Sequence, residues 1–184
     1  MDDKKKLHIV STALEMFYKY GYKRVSMNDI AEAAGISRAG LYLYFKNKEE
    51  IFNAAIVHHG IMLIDEIKNG LLSHKTTEDK ISYAFEVWAI RNFDDSLNSP
   101  EHKEITESSY QFAQEAINTC FGKFETLLAA LLEVHPGATK SGISPVRLAQ
   151  LITGALRGYK IVAKSSDELR HMIQDILQIV FASQ

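Results

Sequence analysis

Cysteine is almost absent from this chain of 184 residues. The single cysteine, Cys120, cannot form a disulfide within the chain, and such usage is typical of a reducing compartment. Two interpretations of Cys120 remain open: a small core residue between Ile117 and Phe121, or a redox-sensing thiol, although no basic neighbour that would activate it is evident in the sequence. A fold that depends on internal disulfides is therefore excluded.

Long hydrophobic runs are also missing. The longest, LLAALL at residues 127–132, is far shorter than the roughly 18 residues that a membrane-spanning helix requires. The first ten residues, MDDKKKLHIV, lack the apolar segment and cleavage site of a signal peptide. We therefore expect a cytoplasmic protein that has no membrane partner.

The motifs of common enzyme classes do not occur. The sequence has no phosphate-cradling glycine loop, no nucleophile elbow and no H-E-x-x-H. His58 and His59 are adjacent, so on one helix they would point about 100° apart. His58 and Met62 are four residues apart, but two such ligands do not make a metal site. We predict no enzymatic activity, no metal and no cofactor.

Charge is divided unevenly along the chain. The net charge is −2, yet residues 1–50 hold nine Lys or Arg against seven Asp or Glu, and the remainder holds twelve against sixteen. This asymmetry is compatible with an N-terminal part that faces nucleic acid. The acidic remainder argues against a non-specific architectural DNA binder, for which basic residues throughout would be expected.

Helical periodicity runs through almost the whole sequence, without lasting strand alternation or an internal repeat, so we predict an all-α fold. Segments around Pro100 and from Pro136 to Pro145 collect Gly, Ser, Asn or Asp and are predicted to be loops. After the first fifty residues we expect helices over residues 48–71, 77–94, 101–134 (as one helix or as two), 145–164 and 166–182.

The first fifty residues contain closely spaced helix start and stop signals. Gly21 and Gly35 each follow an apolar stripe and suit the left-handed conformation that ends a helix. Three capping residues follow the pattern of helix starts: Ser26, with Asp29 as its capping-box partner, Ser37, and Asn47, with Glu50 three residues on. These signals predict two helices of about eight residues separated by the turn AGIS, which is the pattern of a helix-turn-helix.

The second of these helices, placed over residues 38–46, has two different faces. Leu41 and Phe45 fall on one side, with Tyr44 and Gly40 on its flank. The other side collects Arg38, Ala39, Tyr42, Leu43 and Lys46. A solvated Arg and a half-buried Tyr would explain this outer face in an isolated helix. In a helix-turn-helix, however, the same positions enter the major groove of DNA, where Arg can donate two hydrogen bonds to guanine.

Residues 9–56 contain six short motifs in register: A-x-x-x-F at 13–17, G-Y at 21–22, S-M-x-D-I-A at 26–31, A-G-I-S at 34–37, L-Y-x-Y-F at 41–45 and K-E at 48–49. Through these motifs the segment closely resembles the DNA-binding domain of TetR-family transcriptional regulators. The resemblance covers about a quarter of the chain. It implies a three-helix DNA-binding domain over residues 1–47, a linking helix from about Lys48, and a larger helical ligand-binding and dimerisation domain over 48–184.

The resemblance also implies contacts to double-stranded DNA, to which we add Lys46 because it stands near the start of the next helix. The candidate DNA-binding residues are Ser26, Ser37, Arg38, Ala39, Gly40, Tyr42, Tyr44, Lys46 and Lys48. Gly40 departs from the pattern, because many members have Thr or Ser there and a hydroxyl contact to phosphate is lost. Leu43 replaces a residue that is commonly polar or aromatic, so the operator sequence cannot be transferred.

In the second part we expect an effector pocket for an unidentified small molecule, although most of its aromatic residues are expected to be plain core. The candidate pocket residues are Met62, Tyr83, Trp88, Tyr110, Phe112 and Phe121. Apolar stripes near the C-terminus would serve an internal core or a dimer equally well, and the resemblance favours a dimer. The candidate dimer residues are Gly154, Ala155, Gly158, Tyr159, Val162, Leu169, Ile173, Ile176 and Val180.

The resemblance implies a homodimeric bacterial repressor that binds a palindromic operator and is released by a small-molecule effector. The signal is expected to pass through the helix that begins at Lys48. An activator, or an effector-independent DNA-binding protein of the same fold, is the alternative.

Overall fold

A computed structural model describes residues 2–135 and 142–181, and all the regular secondary structure within them is helical, as predicted. A 3-10 turn at Leu71–Ser73 follows α4, and a π-helix at Glu86–Ile90 follows α5. The helices are α1 Asp2–Tyr20, α2 Met27–Ala33, α3 Arg38–Tyr42, α4 Lys48–Gly70, α5 Thr77–Phe85, α6 Phe93–Asn98, α7 Pro100–Phe112, α8 Gln114–Glu133, α9 Pro145–Val162 and α10 Ser166–Phe181.

The chain divides into two compact units, each built from two stretches of sequence. The first unit is Met1–Ile61 with Asp95–Cys120, and the second is Met62–Asp94 with Phe121–Gln184. Both α4 and α8 therefore contribute residues to both units. These units do not coincide with the predicted domains, 1–47 and 48–184. The predicted domains are defined by function, DNA binding and effector binding, and that functional division remains a prediction.

The core of the first unit is centred on three aromatic rings. The Phe52 ring centroid lies 5.3 Å from that of Phe17, edge-on, and 4.6 Å from that of Tyr22. Ile30 and Leu41 complete the core from α2 and α3, and both are fully buried. One apolar residue or two from each short helix thus suffice to hold the helix-turn-helix on α1 and α4.

The second unit has its own apolar core from α5, the π-helix, α8, α9 and α10. Phe85 packs edge-on against Phe124, with ring centroids 5.4 Å apart. Trp88 stacks on the same Phe124 at 4.4 Å and an interplanar angle of 5°. Rings from α5, the π-helix and α8 therefore form one packed cluster, which agrees with the expectation that most of these aromatic residues are core.

Three predicted boundaries are wrong. The helix predicted over residues 77–94 is interrupted: α5 ends at Phe85, the π-helix spans Glu86–Ile90 and α6 begins at Phe93. The predicted loop around Pro100 is helical on both sides of Ser99, because the Ser99 hydroxyl accepts from the His102 N–H and Pro100 occupies the first turn of α7, where its fixed φ is tolerated. The helix predicted over 38–46 ends at Tyr42. Pro136 and residue 182, the predicted end of the last helix, lie outside the described residues. Residues 101–134 form two helices, with the break at Ala113.

Candidate nucleic-acid interface

The helix-turn-helix is organised by local hydrogen bonds at its predicted caps. The Ser26 hydroxyl accepts from the Asp29 N–H, and the Asp29 carboxylate accepts from the Ser26 N–H at 2.8 Å, which completes the capping box. The Asp29 carboxylate also accepts from the Ser26 hydroxyl at 2.7 Å, and this hydrogen bond, followed by the one from the Ser26 N–H, lowers the pKa of Asp29. Gly35 ends α2 with a φ of +66°, and Ser37 accepts from the Gly40 N–H at 3.0 Å. The predicted start and stop signals are confirmed.

The two faces of α3 and the residues after it differ as predicted. Leu41 and Phe45 are buried in the core of the first unit. Arg38, Ala39 and Lys46 are exposed on the opposite side. The remaining members of that outer face are large: Tyr42 is 44% exposed and Leu43 is 85% exposed.

Arg38 and Tyr42 act as neighbours on the outer face. The guanidinium carbon of Arg38 lies 5.8 Å from the centroid of the Tyr42 ring, within the range of a cation–π contact. The guanidinium keeps donors for a guanine or a phosphate, while the Tyr42 hydroxyl can reach the sugar-phosphate wall. Leu43 adds an apolar surface of the kind that contacts the methyl group of thymine.

The other candidate DNA-binding residues differ in their exposure and in their local role. Ser26 and Ser37 are exposed, but both hydroxyls serve as helix caps. Tyr44 is half-buried and packs against the core of the first unit. An added Cβ on Gly40 would lie 3.1 Å from the Ser37 hydroxyl oxygen, so a larger residue there requires a small shift of the Ser37 side chain.

Lys48 lies in a different environment from the one expected of a phosphate ligand. Its ammonium donates to the carbonyl oxygens of Tyr22 and Val25, each at 2.8 Å, and lies 4.2 Å from the Tyr22 ring centroid. Partial burial lowers its pKa, and the carboxylates of Glu104 and Asp29 oppose that shift. Lys48 therefore ties the start of α4 to the loop between α1 and α2, and its contact to DNA stays a prediction.

Glu104 on α7 is a residue that sequence reasoning missed. Its carboxylate accepts from the Lys23 backbone N–H at 2.5 Å, and an added Cβ on Gly21 would lie 3.0 Å from it. Glu101 on the same helix lies 4.0 Å from the exposed Arg24. The loop that leads to the Ser26 cap is thus held by α4 and by α7. No local signal could have found Glu104, because it is 81 residues away from Lys23.

The predicted effector-pocket residues are distributed over both units. Tyr83 lines a cavity of about 340 Å³ in the second unit, together with Arg170. Trp88 and Phe121 belong to the ring cluster of that unit. Met62 and Tyr110 are more than half exposed, while Phe112 is half-buried in the first unit, 5.6 Å from Tyr22. Phe112 lines a cavity of about 430 Å³ in the first unit, so Tyr83 and Phe112 are the members that line a described cavity within their own unit.

The predicted dimer residues separate into two groups. Leu169 and Ile173 are buried in the core of their own unit, so their place in a dimer contact is corrected: they face inwards because α10 packs on α9 and the π-helix. Ala155, Tyr159, Ile176 and Val180 are half-buried. Gly154, Gly158 and Val162 are exposed, and so are residues that the sequence reasoning had not selected: Leu151, Ile161 and Ile179.

Within residues 2–135 and 142–181, no helix is both long enough and apolar enough to cross a membrane. Across the same residues, no three His, Cys, Asp or Glu side chains are grouped so that they could hold a metal ion.

Comparisons with known proteins agree with this geometry. Residues 9–55 match the family described as bacterial regulatory proteins, tetR family. The fatty acid metabolism regulator protein of Bacillus subtilis (strain 168) is 25% identical over 94% of this chain and 95% of its own length.

Two solved structures share the fold. The fatty acid degradation regulator FadR from Bacillus halodurans has a TM-score of 0.65 at 20% identity, covering 96% of this chain and 94% of that one. FadR of Thermus thermophilus, a TetR-family transcriptional repressor in complex with lauroyl-CoA, has a TM-score of 0.64 at 16% identity, covering 95% and 92%.

A capped helix-turn-helix with an exposed outer face is the arrangement of a DNA-binding domain. Residues 9–55 of this chain match the tetR family of bacterial regulatory proteins. Over nearly its whole length the chain is similar to a regulator at 25% identity, and it shares its fold with the two solved structures.

Proposed function

We propose that this regulator is a homodimeric repressor that binds a palindromic operator and dissociates from it when a small molecule binds. The observation that carries the proposal is the outer face of α3, where Arg38, Tyr42 and Leu43 stand together in the solvent. These three side chains offer a bidentate donor, a hydroxyl and an apolar contact. Such a set can distinguish base pairs in the major groove, which carries a distinct pattern for each pair.

The two glycines in α9 support the homodimer. A glycine inside a helix costs about 1 kcal/mol relative to alanine, so it needs a compensating reason. An added Cβ at Gly154 or Gly158 would meet no atom within 4 Å inside the protomer. With Leu151 and Ile161 they form a stripe at spacings of three and four residues, which is one face of the helix. If a second copy of α9 packed closely against this stripe, the close contact would explain why both positions are glycine.

The stripe also supports a twofold arrangement, and through it a palindromic operator. Leu151 and Ile161 are 45% and 80% exposed at its two ends. In a twofold dimer the same patch serves both subunits, so one apolar stripe is sufficient for a complete interface. Two copies of α3 would then face two half-sites that are related by the same symmetry.

The proposed effector belongs to the fatty acyl compounds. This choice is supported by the printed name of the Bacillus subtilis relative, which spans nearly the whole chain. The lauroyl-CoA of the Thermus thermophilus repressor makes that compound a suitable first probe. The cytoplasm, where the operator and acyl-CoA meet, is the proposed location.

The experiment is a selection of bound duplexes from random double-stranded oligonucleotides, followed by sedimentation of the protein on the enriched duplex. The proposal expects a palindromic motif that is occupied by two chains. Adding lauroyl-CoA is then expected to release the duplex. A motif without symmetry, or one chain per duplex, would contradict the dimeric repressor, and a duplex that stays bound at saturating lauroyl-CoA would contradict the effector class.

A further inference from the structure

Leu43 points directly away from the core of the first unit. It stands two residues from both Leu41 and Phe45, which are buried, so at about 100° per residue it lies opposite the side that they share. Its backbone still follows the helix, with φ −70° and ψ −24°, and its N–H donates to the Gly40 carbonyl at 3.3 Å. The Leu43 side chain is 85% exposed, against 44% for Tyr42.

The neighbours of Leu43 on the outer face give its exposure a meaning. A single exposed leucine does not indicate a partner, because isolated apolar side chains are common on protein surfaces. Here, however, the polar groups of the face are concentrated on one flank, where the Arg38 guanidinium lies 5.8 Å from the Tyr42 ring centroid. Ala39, one turn before Leu43, is exposed and equally lacks a side-chain donor or acceptor. The centre of the outer face is therefore apolar.

In the major groove, which the proposed function requires this face to enter, an apolar side chain meets one of three surfaces: a phosphate, the polar edge of a base, or the methyl group of thymine. Against a phosphate or a polar edge, Leu43 would remove water without replacing its hydrogen bonds, which is unfavourable. The thymine methyl is the apolar group that the major groove presents. Contact with it removes apolar surface of both partners from water, so it is the favourable contact of the three.

We propose that Leu43 is a specificity-determining residue that recognises the 5-methyl group of one thymine in each half-site of the operator. The proposal rests on the proposed function and deepens it, because it names the chemical group that the apolar centre of the outer face contacts. Guanine, cytosine and adenine carry no methyl group in the major groove, so a methyl contact distinguishes thymine from all three. Recognition by Leu43 is thus separate from the hydrogen bonds that Arg38 and Tyr42 can make.

Uracil tests the contact, because it differs from thymine only in lacking the methyl group and pairs with adenine in the same way. The probe is the duplex that the full-length protein enriches from random oligonucleotides, with uracil in place of thymine at one symmetric pair of positions at a time. At the pair that Leu43 contacts, affinity is expected to fall about fourfold for each half-site, the effect of one buried methyl group, and about 16-fold for both. Fluorescence anisotropy measures the loss, and uracil in the flanking sequence is the control.

One variant and a matched control assign the contact to Leu43. The side chain of Leu43→Ala is too short to reach the methyl group, so this variant is expected to bind the thymine and uracil duplexes with equal affinity. Leu72→Ala, at a leucine that is 93% exposed in the second unit, is expected to keep the 16-fold difference. Circular dichroism melting confirms that each variant is folded, and the uracil series on the wild-type protein tests the methyl contact without any variant.

Three results would overturn the proposal: an enriched half-site that contains no thymine, uracil accepted in place of every thymine without loss of affinity, or a folded Leu43→Ala protein that retains the wild-type difference. Each of these leaves the proposed repressor standing, since the protein still selects a palindromic duplex. A protein that enriches no duplex would instead contradict the proposed function, and the role of Leu43 would fall with it.

Discussion

The two units of this molecule expose different kinds of surface. The first unit exposes a mixed face on α3, with Arg38 and Tyr42 beside Leu43. The second exposes an apolar stripe on α9, from Leu151 to Ile161. A mixed face suits a partner that presents both hydrogen-bonding groups and methyl groups, as DNA does, and an apolar stripe suits another protein surface. The kind of side chain left in the solvent thus supports the partner that we propose for each unit.

The two units also differ in the surroundings of their helical glycines. In the first unit, Gly60 is required by its own chain, since an added Cβ would lie 2.5 Å from the Cys120 sulfur. In the second unit, Gly154 and Gly158 have no such neighbour. A glycine whose reason is inside the protomer cannot argue for a partner. Gly122 has equally empty surroundings, so it is the alignment of Gly154 and Gly158 with the exposed Leu151 and Ile161 that supports a dimer.

The largest expected effect is on the stripe of the second unit. Gly158→Leu should weaken self-association roughly 30-fold or more, because overpacking costs about 1–3 kcal/mol and a twofold dimer carries the change twice. The protomer should stay folded, since the added Cβ meets no atom within 4 Å. Sedimentation over a range of protein concentrations measures the dimer dissociation constant. Gly122→Leu, on α8 and equally open, is the control, and an undisturbed dimer in Gly158→Leu would place the interface elsewhere.

On the face of the first unit, Tyr42→Ala should cost about 1–3 kcal/mol of operator affinity and leave the fold intact. Fluorescence anisotropy with the selected duplex measures this loss. Tyr20→Ala is a matched control, because Tyr20 is 43% exposed and Tyr42 is 44% exposed, but Tyr20 lies on α1. Equal affinities for the two variants would remove Tyr42 from the interface.

A smaller effect is expected where α7 holds the loop before α2. Glu104→Ala removes the acceptor of the Lys23 N–H and should lower the free energy of unfolding by about 1 kcal/mol. Operator affinity should fall several-fold, because this loop leads directly to the Ser26 cap. Urea denaturation and anisotropy give the two values. Glu107→Ala, on the exposed side of the same helix, should change neither; a loss equal to that of Glu104→Ala would show that the contact is unimportant.

The smallest expected effect on DNA concerns Lys48. Because its ammonium is hydrogen-bonded to the Tyr22 and Val25 carbonyls, Lys48→Gln should lower the melting temperature and leave the salt dependence of DNA binding nearly unchanged. The slope of log affinity against log salt is the measurement. A slope that is shallower by about 0.9 would restore Lys48 as a phosphate ligand.

The sequence predicts best what is decided locally. The caps at Ser26, Ser37 and Asn47 were predicted because a capping hydroxyl or amide and its partner N–H lie within three residues of one another. The buried and exposed faces of α3 followed from the helical repeat alone.

Contacts distant in sequence were not predictable in the same way. Glu104 and the partners of Lys48 depend on how α7 and α4 pack within the first unit. On α10, apolar residues occupy more than one face, so periodicity could not assign Leu169 and Ile173 to the core or to the dimer. The exposed stripe on α9 could be identified only from the structure, because the packing of the protomer decides which apolar residues of α9 are buried.

The central claim is that the outer face of α3 reads the operator. Selection from random duplexes with wild-type protein and with Arg38→Ala, followed by sequencing, tests it most directly. The account predicts that Arg38→Ala loses its preference at one base pair in each half-site, symmetric about the centre, while the rest of the motif persists. A folded Arg38→Ala protein that enriches the wild-type motif unchanged would contradict the account.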